Sequence, residues 1–296
     1  MNEGTKMNTN MLNKTVSLAN GVEVPVLGLG TWLMDNDEAA AAVEAALKLG
    51  YRHVDTAQAY GNEAGVGRGI AASGIAREDV FVTTKVAAEH KDFESAAASI
   101  DASLAAAGLD YFDLVIIHSP QPWAKVNQSN DRYLEGNREA WRALEEAYAA
   151  GKVRAIGVSN FLEADLENIL SSCNVKPMVN QVLAHVGNMP SNLVAWCKER
   201  GIVVEAYSPV AHGAVLDSPE IVHIAATYGV SVPQLCIRYC LQLGLIALPK
   251  TANPDHMAAN ADVDFEISAA DMDALSALSI SDYGEANVFP VYGGKM

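Results

Sequence analysis

Residues 114–118 read Leu114-Val115-Ile116-Ile117-His118, four branched apolar side chains that end on a histidine. A short unbroken apolar run of this kind suits a strand buried on both faces of a parallel sheet. Two earlier runs, rich in β-branched and aromatic residues, are strand-like but less apolar, the first of them carrying Arg52 and His53. Residues 81–84 (Phe-Val-Thr-Thr) lead into Lys85, and residues 51–54 (Tyr-Arg-His-Val) lead into Asp55 and, a little further on, Tyr60. A helical pattern follows each run. Parallel strands place their C-terminal ends on one face of the sheet, so Asp55, Tyr60, Lys85 and His118 can converge there.

Outward from these runs the same alternation continues. Asn20-Gly21, between residues 15–18 and 22–26, is a hairpin signal, because both residues tolerate the left-handed backbone of a type I′ turn. A first barrel-like run follows at 26–30. Residues 37–49 form an Ala-rich amphipathic pattern, with Asn36 placed to cap it and Gly50 to end it. Further helical patterns cover 93–107, 137–150, 163–171, 191–199 and 233–243. Strand-like runs lie at 153–158, 177–182, 203–207 and 245–248. Eight strand candidates with helices between them, and no composition break, predict one α/β domain over 14–296: a (β/α)8 barrel of the TIM type. The N-terminal hairpin precedes the barrel, and a C-terminal loop is expected over the active-site face. A doubly wound sheet would want a GxGxxG opening a helix; Gly28-Leu29-Gly30 lacks the third glycine, and Gly65, Gly67 and Gly69 fall inside a helical stretch.

The 296 residues are half hydrophobic, ample for one large core. No run of about eighteen apolar residues occurs, so no membrane span is expected. Residues 1–13 are polar and lack the apolar segment of a secretory signal; they read as a disordered leader, and the expected compartment is the cytoplasm. Lys plus Arg number 20 against 36 Asp plus Glu, a net charge of -16. Such a surface disfavours nucleic acid and anionic membranes, and any anionic cofactor needs a local basic patch. Cys173, Cys197, Cys236 and Cys240 form no CxxC pair and read as core thiols, with no metal site expected.

The four strand-tip residues suggest a chemistry. A tyrosine hydroxyl is a weak acid, with a free pKa of about 10. A neighbouring Lys85 ammonium would stabilise the phenolate and lower that value, and Asp55 would keep Lys85 charged and oriented. His118 could hydrogen-bond the same oxygen that Tyr60 protonates. Such a site protonates a developing alkoxide, half of a carbonyl reduction; the other half is a hydride from a nicotinamide. Ser159, Asn160 and Gln181 end the fifth and sixth strands with polar groups suited to a carboxamide. Tyr207, ending the seventh, offers a ring face for stacking, and Lys250-Thr251 end the eighth, where barrels commonly hold phosphate.

The segments DTAQAYGNE (55–63), TTK (83–85), IIHSP (116–120), GVSNF (157–161), NQ (180–181), AYSP (206–209) and LPKTANPDHMAAN (248–260) occur in the order and spacing of the aldo-keto reductases. From about Gly21 to the C-terminus the chain resembles that family, in particular the bacterial branch of 2,5-diketogluconate reductases and prostaglandin F synthase-like enzymes. The resemblance implies a monomeric barrel that reduces a small aldehyde or ketone with NADPH. It implies Tyr60 as general acid, Lys85 and Asp55 as its tuning pair, and His118 orienting the carbonyl. It also implies nicotinamide contacts from Ser159, Asn160, Gln181 and Tyr207, with Ser208, Lys250, Thr251, His256 and Asn260 toward the phosphates and adenosine.

Three positions depart from the family pattern. His256 stands where an arginine usually grips the 2′-phosphate of NADPH, so weaker discrimination against NADH is expected. Ala87 and Ser119 stand where indole rings usually wall the substrate site. A roomier, more polar mouth is expected, closed partly by Trp32, Trp123, Phe289 and Tyr292, while His185, His212 and His223 receive no role. Two other readings stay open: a cofactor-sensing barrel subunit without catalysis, and a barrel aldolase that uses Lys85 as a Schiff-base lysine.

Overall fold

The computed structural model describes residues 10–292. The chain begins with Asn10–Asn13 in a 3-10 turn that buries Met11 and Leu12. The last four residues of the expected 1–13 leader are therefore ordered, because two apolar side chains there have a core to join; residues 1–9 lie outside the described residues.

A two-stranded antiparallel hairpin follows, β1 (Thr15–Ser17) and β2 (Glu23–Pro25), with Gly21 at the left-handed φ of 83° that its turn requires. Eight parallel strands come next: β3 (Leu29–Gly30), β4 (His53–Asp55), β5 (Phe81–Val86), β6 (Phe112–Ile117), β7 (Val153–Ser159), β8 (Val179–Leu183), β9 (Val203–Tyr207) and β10 (Ile246–Leu248). They pair in chain order, and parallel bridges Leu27↔Ala247 and Gly30↔Lys250 join the first to the last. The sheet is thus a closed (β/α)8 barrel, which sets aside the doubly wound alternative.

Helices follow the strands, singly after β3 to β8 and in pairs after β9 and β10: α1 (Asn36–Leu49), α2 (Glu63–Ser73), α3 (Phe93–Ala107), α4 (Leu134–Ala149), α5 (Glu163–Leu170), α6 (Ser191–Glu199), α7 (Pro219–Thr227), α8 (Val232–Gln242), α9 (Pro254–Ala261) and α10 (Ala269–Ser276). Capping at α1 differs from the expectation. Asp35, not Asn36, accepts from the amides of Asp37 and Glu38, while the Asn36 side chain accepts from Gly65 N and donates to Gly61 O. The glycines of α2 serve packing rather than phosphate: a Cβ on Gly67 would stand 1.8 Å from the carbonyl oxygen of Ala107, and one on Gly65 2.2 Å from that of Asn36.

The period-two alternation of strands sorts each side chain inward or outward. Leu114, Ile116, Phe81, Ala155, Val179, Ile246 and Leu248 pack inside the barrel with Leu18 and Val24 of the hairpin, which closes the bottom. Val82, Val86, Val115, Ile117, Ile156, Val158, Val204 and Ala206 face the helices. The same parity turns Asp55, Lys85, Ser159, Gln181, Glu205 and Tyr207 inward near the C-terminal ends of the strands. No helix among the described residues is long and apolar enough to cross a membrane.

Candidate active site

At the C-terminal end of the barrel a cavity of about 410 Å³ is lined by Asp55, Tyr60, His118, Ser159, Asn160, Gln181, Tyr207, Ser208 and Lys250 from the strand ends. Trp32, Trp123, Phe289 and Tyr292 complete its rim. Lys85 lies directly beneath. It is fully buried, and its Nζ donates to Asp55 Oδ1 at 2.5 Å, to Thr56 O at 2.9 Å and to the Tyr60 hydroxyl at 3.4 Å. The four residues anticipated at separate strand tips are thus in one place.

Local sequence explains how Tyr60 reaches it. A 3-10 turn, Gln58–Tyr60, follows β4 and ends at Gly61 with φ 68°. Asn62 fastens that loop, donating to Thr31 O and Met34 O and accepting from the Thr56 hydroxyl. Gln58 ties it to the next unit by donating to Ser99 and Ser103 and accepting from Ala87 N.

The charge states follow from burial and neighbours. Burial works against the Lys85 ammonium, but Asp55 and Tyr60 outweigh it and raise its pKa, so the lysine stays protonated. For Tyr60 the balance differs from the sequence expectation. Burial raises its pKa above 10, and the opposing pull of Lys85 is smaller. Tyr60 therefore holds its proton at neutral pH, the state required of a donor. Burial, with Lys85 in support, holds the His118 pKa well below 6.5, so the ring is neutral. Its Nδ1 is buried without a partner among the described residues, which favours a ring protonated on Nε2.

Beside this group the amides interlock. Asn160, at φ 63°, donates to His118 O and Ser159 Oγ and accepts from the Tyr207 hydroxyl at 2.8 Å. Ser159 donates to Gln181 O. Gln181 Nε2 donates at 2.8 Å to both Asp55 Oδ2 and Glu205 Oε2, so its Oε1 is the end left for another donor. Non-glycine residues at positive φ gather around the cavity: Leu33, Asn160, Ser208 and His212 all line it. Such backbone is costly and persists where the surroundings over-determine it, commonly at functional sites.

Some anticipated residues stand elsewhere. Ala87 and Ser119 do not line the cavity. Ser119 is fully buried, and Lys91 holds its loop by donating to Ser119 O and Asn137 Oδ1. The mouth is aromatic rather than polar, since Phe289 packs on Trp32 at 4.7 Å and Trp123 packs edge-on against His118 at 4.9 Å. Tyr292 bonds Ser208 Oγ at 2.6 Å. Thr251, His256 and Asn260 are also outside the cavity wall; His256 is exposed on the first turn of α9, and Asn260 is buried. His212, given no role from sequence, sits in the wall between Trp32 at 5.1 Å and Tyr292 at 4.8 Å. Glu205 was also missed, although a lone carboxylate in the apolar run 203–207 was a usable signal.

The model for the Aldo/keto reductase family matches residues 26–280. The chain belongs to the aldo/keto reductase family. Within the family, the glyoxal reductase of Bacillus subtilis is 44% identical over 270 residues, spanning 90% of this chain and 94% of its own. An aldo/keto reductase from Brucella melitensis superposes with a TM-score of 0.81 at 40% identity, over 89% of this chain and 98% of that one. An aldo-keto reductase from Bombyx mori, solved in complex with NADP, gives 0.81 at 32% identity over 94% and 98%. This protein is accordingly an enzyme of the oxidoreductase class, built as an aldo/keto reductase barrel.

Proposed function

We propose that the protein reduces a small aldehyde or ketone to the alcohol with NADPH, with Tyr60 as the proton donor. The observation that carries this reading is the Tyr60 hydroxyl, 3.4 Å from the buried Lys85 Nζ and open to the same cavity as His118. The cavity wall fits a nicotinamide: it offers the Gln181 carbonyl oxygen, the Asn160 and Ser159 groups, the Tyr207 ring and one cation, Lys250, in a chain of net charge -16. When bound, that cofactor supplies the hydride to the carbonyl carbon.

The chain's own residues do the rest. His118 Nε2 and the Tyr60 hydroxyl donate to the carbonyl oxygen and fix its position. Tyr60 then gives its proton to that oxygen as charge builds there, and Lys85 stabilises the phenolate left behind. Asp55 keeps Lys85 protonated and in place. The aromatic rim excludes water and favours small, partly apolar carbonyl compounds; glyoxal, after the Bacillus relative, is the first to try. Exposed His256 cannot supply the fixed charge of an arginine fork, which supports some use of NADH as well. The protein acts as a monomer in the cytoplasm. A Schiff-base role for Lys85 is disfavoured, because an ammonium held by Asp55 has no free lone pair with which to attack.

The test is cofactor consumption with glyoxal and with a nitrobenzaldehyde, against Tyr60→Phe. Turnover by the wild type and its loss in the variant, with cofactor binding retained, is the expected outcome. Binding of NADPH without turnover of any carbonyl compound would replace catalysis with a sensing role.

A further inference from the structure

Glu205 is completely buried on the inward face of β9, and the reaction described above assigns it nothing. Its Oε2 accepts from Gln181 Nε2 at 2.8 Å, and the other hydrogen of that same amide goes to Asp55 Oδ2 at 2.8 Å. Asp55 in turn holds Lys85, and Lys85 reaches Tyr60. A continuous buried chain therefore runs from Glu205 through Gln181, Asp55 and Lys85 to the proton donor. Glu205 Oε1 has no partner among the described residues. A buried carboxylate oxygen without a donor marks a group that can take up a proton at modest cost.

We propose that Glu205 is a positioning residue whose gain or loss of a proton sets the readiness of Tyr60 to give up its own. The proposal rests on the carbonyl-reduction reading of the site. The charged groups acting on Glu205 are Asp55 from β4 and Lys85 from β5. Strand β8 presents the neutral Gln181, and β10 places the apolar Ile246 beside it in register. Burial first, and then the charge of Asp55, push the Glu205 carboxyl up to about 7, with Gln181 and Lys85 pulling the other way. Near neutral pH it thus passes between its two forms. Ionised, it adds a second negative charge beside Asp55 and makes a phenolate on Tyr60 harder to form. Protonated, it leaves Lys85 to serve Tyr60 with less competition.

Carbonyl reduction by the wild type should fall on the order of three- to tenfold in kcat between about pH 6 and 8, as a charge acting across a buried network would cause. Glu205→Gln, which keeps an acceptor for Gln181 and removes the charge, should abolish that limb. Independently of turnover, infrared titration of the wild type should show a protonated carboxyl lost near neutrality and absent from Glu205→Gln. An alkaline absorbance titration, with Tyr60 identified by subtracting Tyr60→Phe, should show its phenolate forming at lower pH in the Glu205 variant. A carboxyl ionised throughout, or Tyr60 titrating identically in both proteins, would overturn the proposal. Absence of NADPH turnover in the wild type would overturn the reaction instead, and the two spectroscopic titrations would still decide on Glu205.

Discussion

Lys85 donates to Asp55 at 2.5 Å, and both side chains are almost completely withdrawn from solvent. A buried ion pair of this kind adds little net stability relative to an apolar pair, but breaking it strands the remaining charge. Asp55→Asn should therefore destabilise the protein by about 3–5 kcal/mol in denaturant unfolding. It should also lower kcat, since a deprotonated Lys85 no longer supports the Tyr60 phenolate. Unchanged stability would mean that Thr56 O and the Tyr60 hydroxyl suffice for the ammonium.

His256→Arg should raise the preference for NADPH over NADH, read as the ratio of the two kcat/KM values. His256 is exposed on the first turn of α9, where a permanently charged fork has room to engage a phosphate. A gain on the order of tenfold corresponds to about 1.4 kcal/mol, within the range of one charge-assisted hydrogen bond. An unaltered ratio would place His256 outside the cofactor site.

Acid should weaken the fold through His53. Its ring is completely buried, with Nδ1 3.2 Å from Pro25 O and Nε2 3.2 Å from the Thr83 hydroxyl, and burial pulls its pKa down to about 4 from 6.5. In the unfolded chain the ring takes its proton near 6.5. Stability from keeping it neutral is therefore complete above that pH and is lost as pH falls to about 4, on the order of 3 kcal/mol. His118, also depressed by burial, adds to the same loss. Urea midpoints between pH 8 and 4, with NMR titration of the ring, check this; a His53 ring that protonates near 6.5 in the folded protein would contradict it.

Glu205 bears on stability in the opposite sense. Its folded value of about 7 lies above the 4.5 of a free carboxyl. The contribution is fully present below about 4.5 and is lost as pH rises through 7. At pH 8, Glu205→Gln should therefore unfold at higher denaturant than the wild type, and the difference should shrink toward pH 5.

Gly67→Ala tests the packing of α2. The added Cβ would lie 1.8 Å from the Ala107 carbonyl oxygen, a backbone atom that cannot swing aside. A loss of about 3 kcal/mol or more is expected in thermal or denaturant unfolding, the upper range for overpacking. Wild-type stability in this variant would show that α2 shifts freely on α3.

The sequence by itself determined the barrel and the common face shared by the tetrad Asp55, Tyr60, Lys85 and His118, because both follow from short-range rules. Short runs rich in β-branched and aromatic residues, each followed by a helical pattern, give the eight strands, and a polar residue after such a run marks a strand tip on the common face. The charge balance of the tetrad was a tertiary matter. Whether Lys85 or burial wins at Tyr60 depends on how much protein surrounds the hydroxyl, and burial wins. Tertiary structure also left Ala87 and Ser119 out of the wall and put His212 within it, since loop paths are set by distant contacts such as Lys91 to Ser119 and Asn137. The partnership of Asp55 and Glu205 across Gln181 was equally hidden. Those three residues are spread over about half of the chain, and only barrel closure brings two carboxylates to one amide.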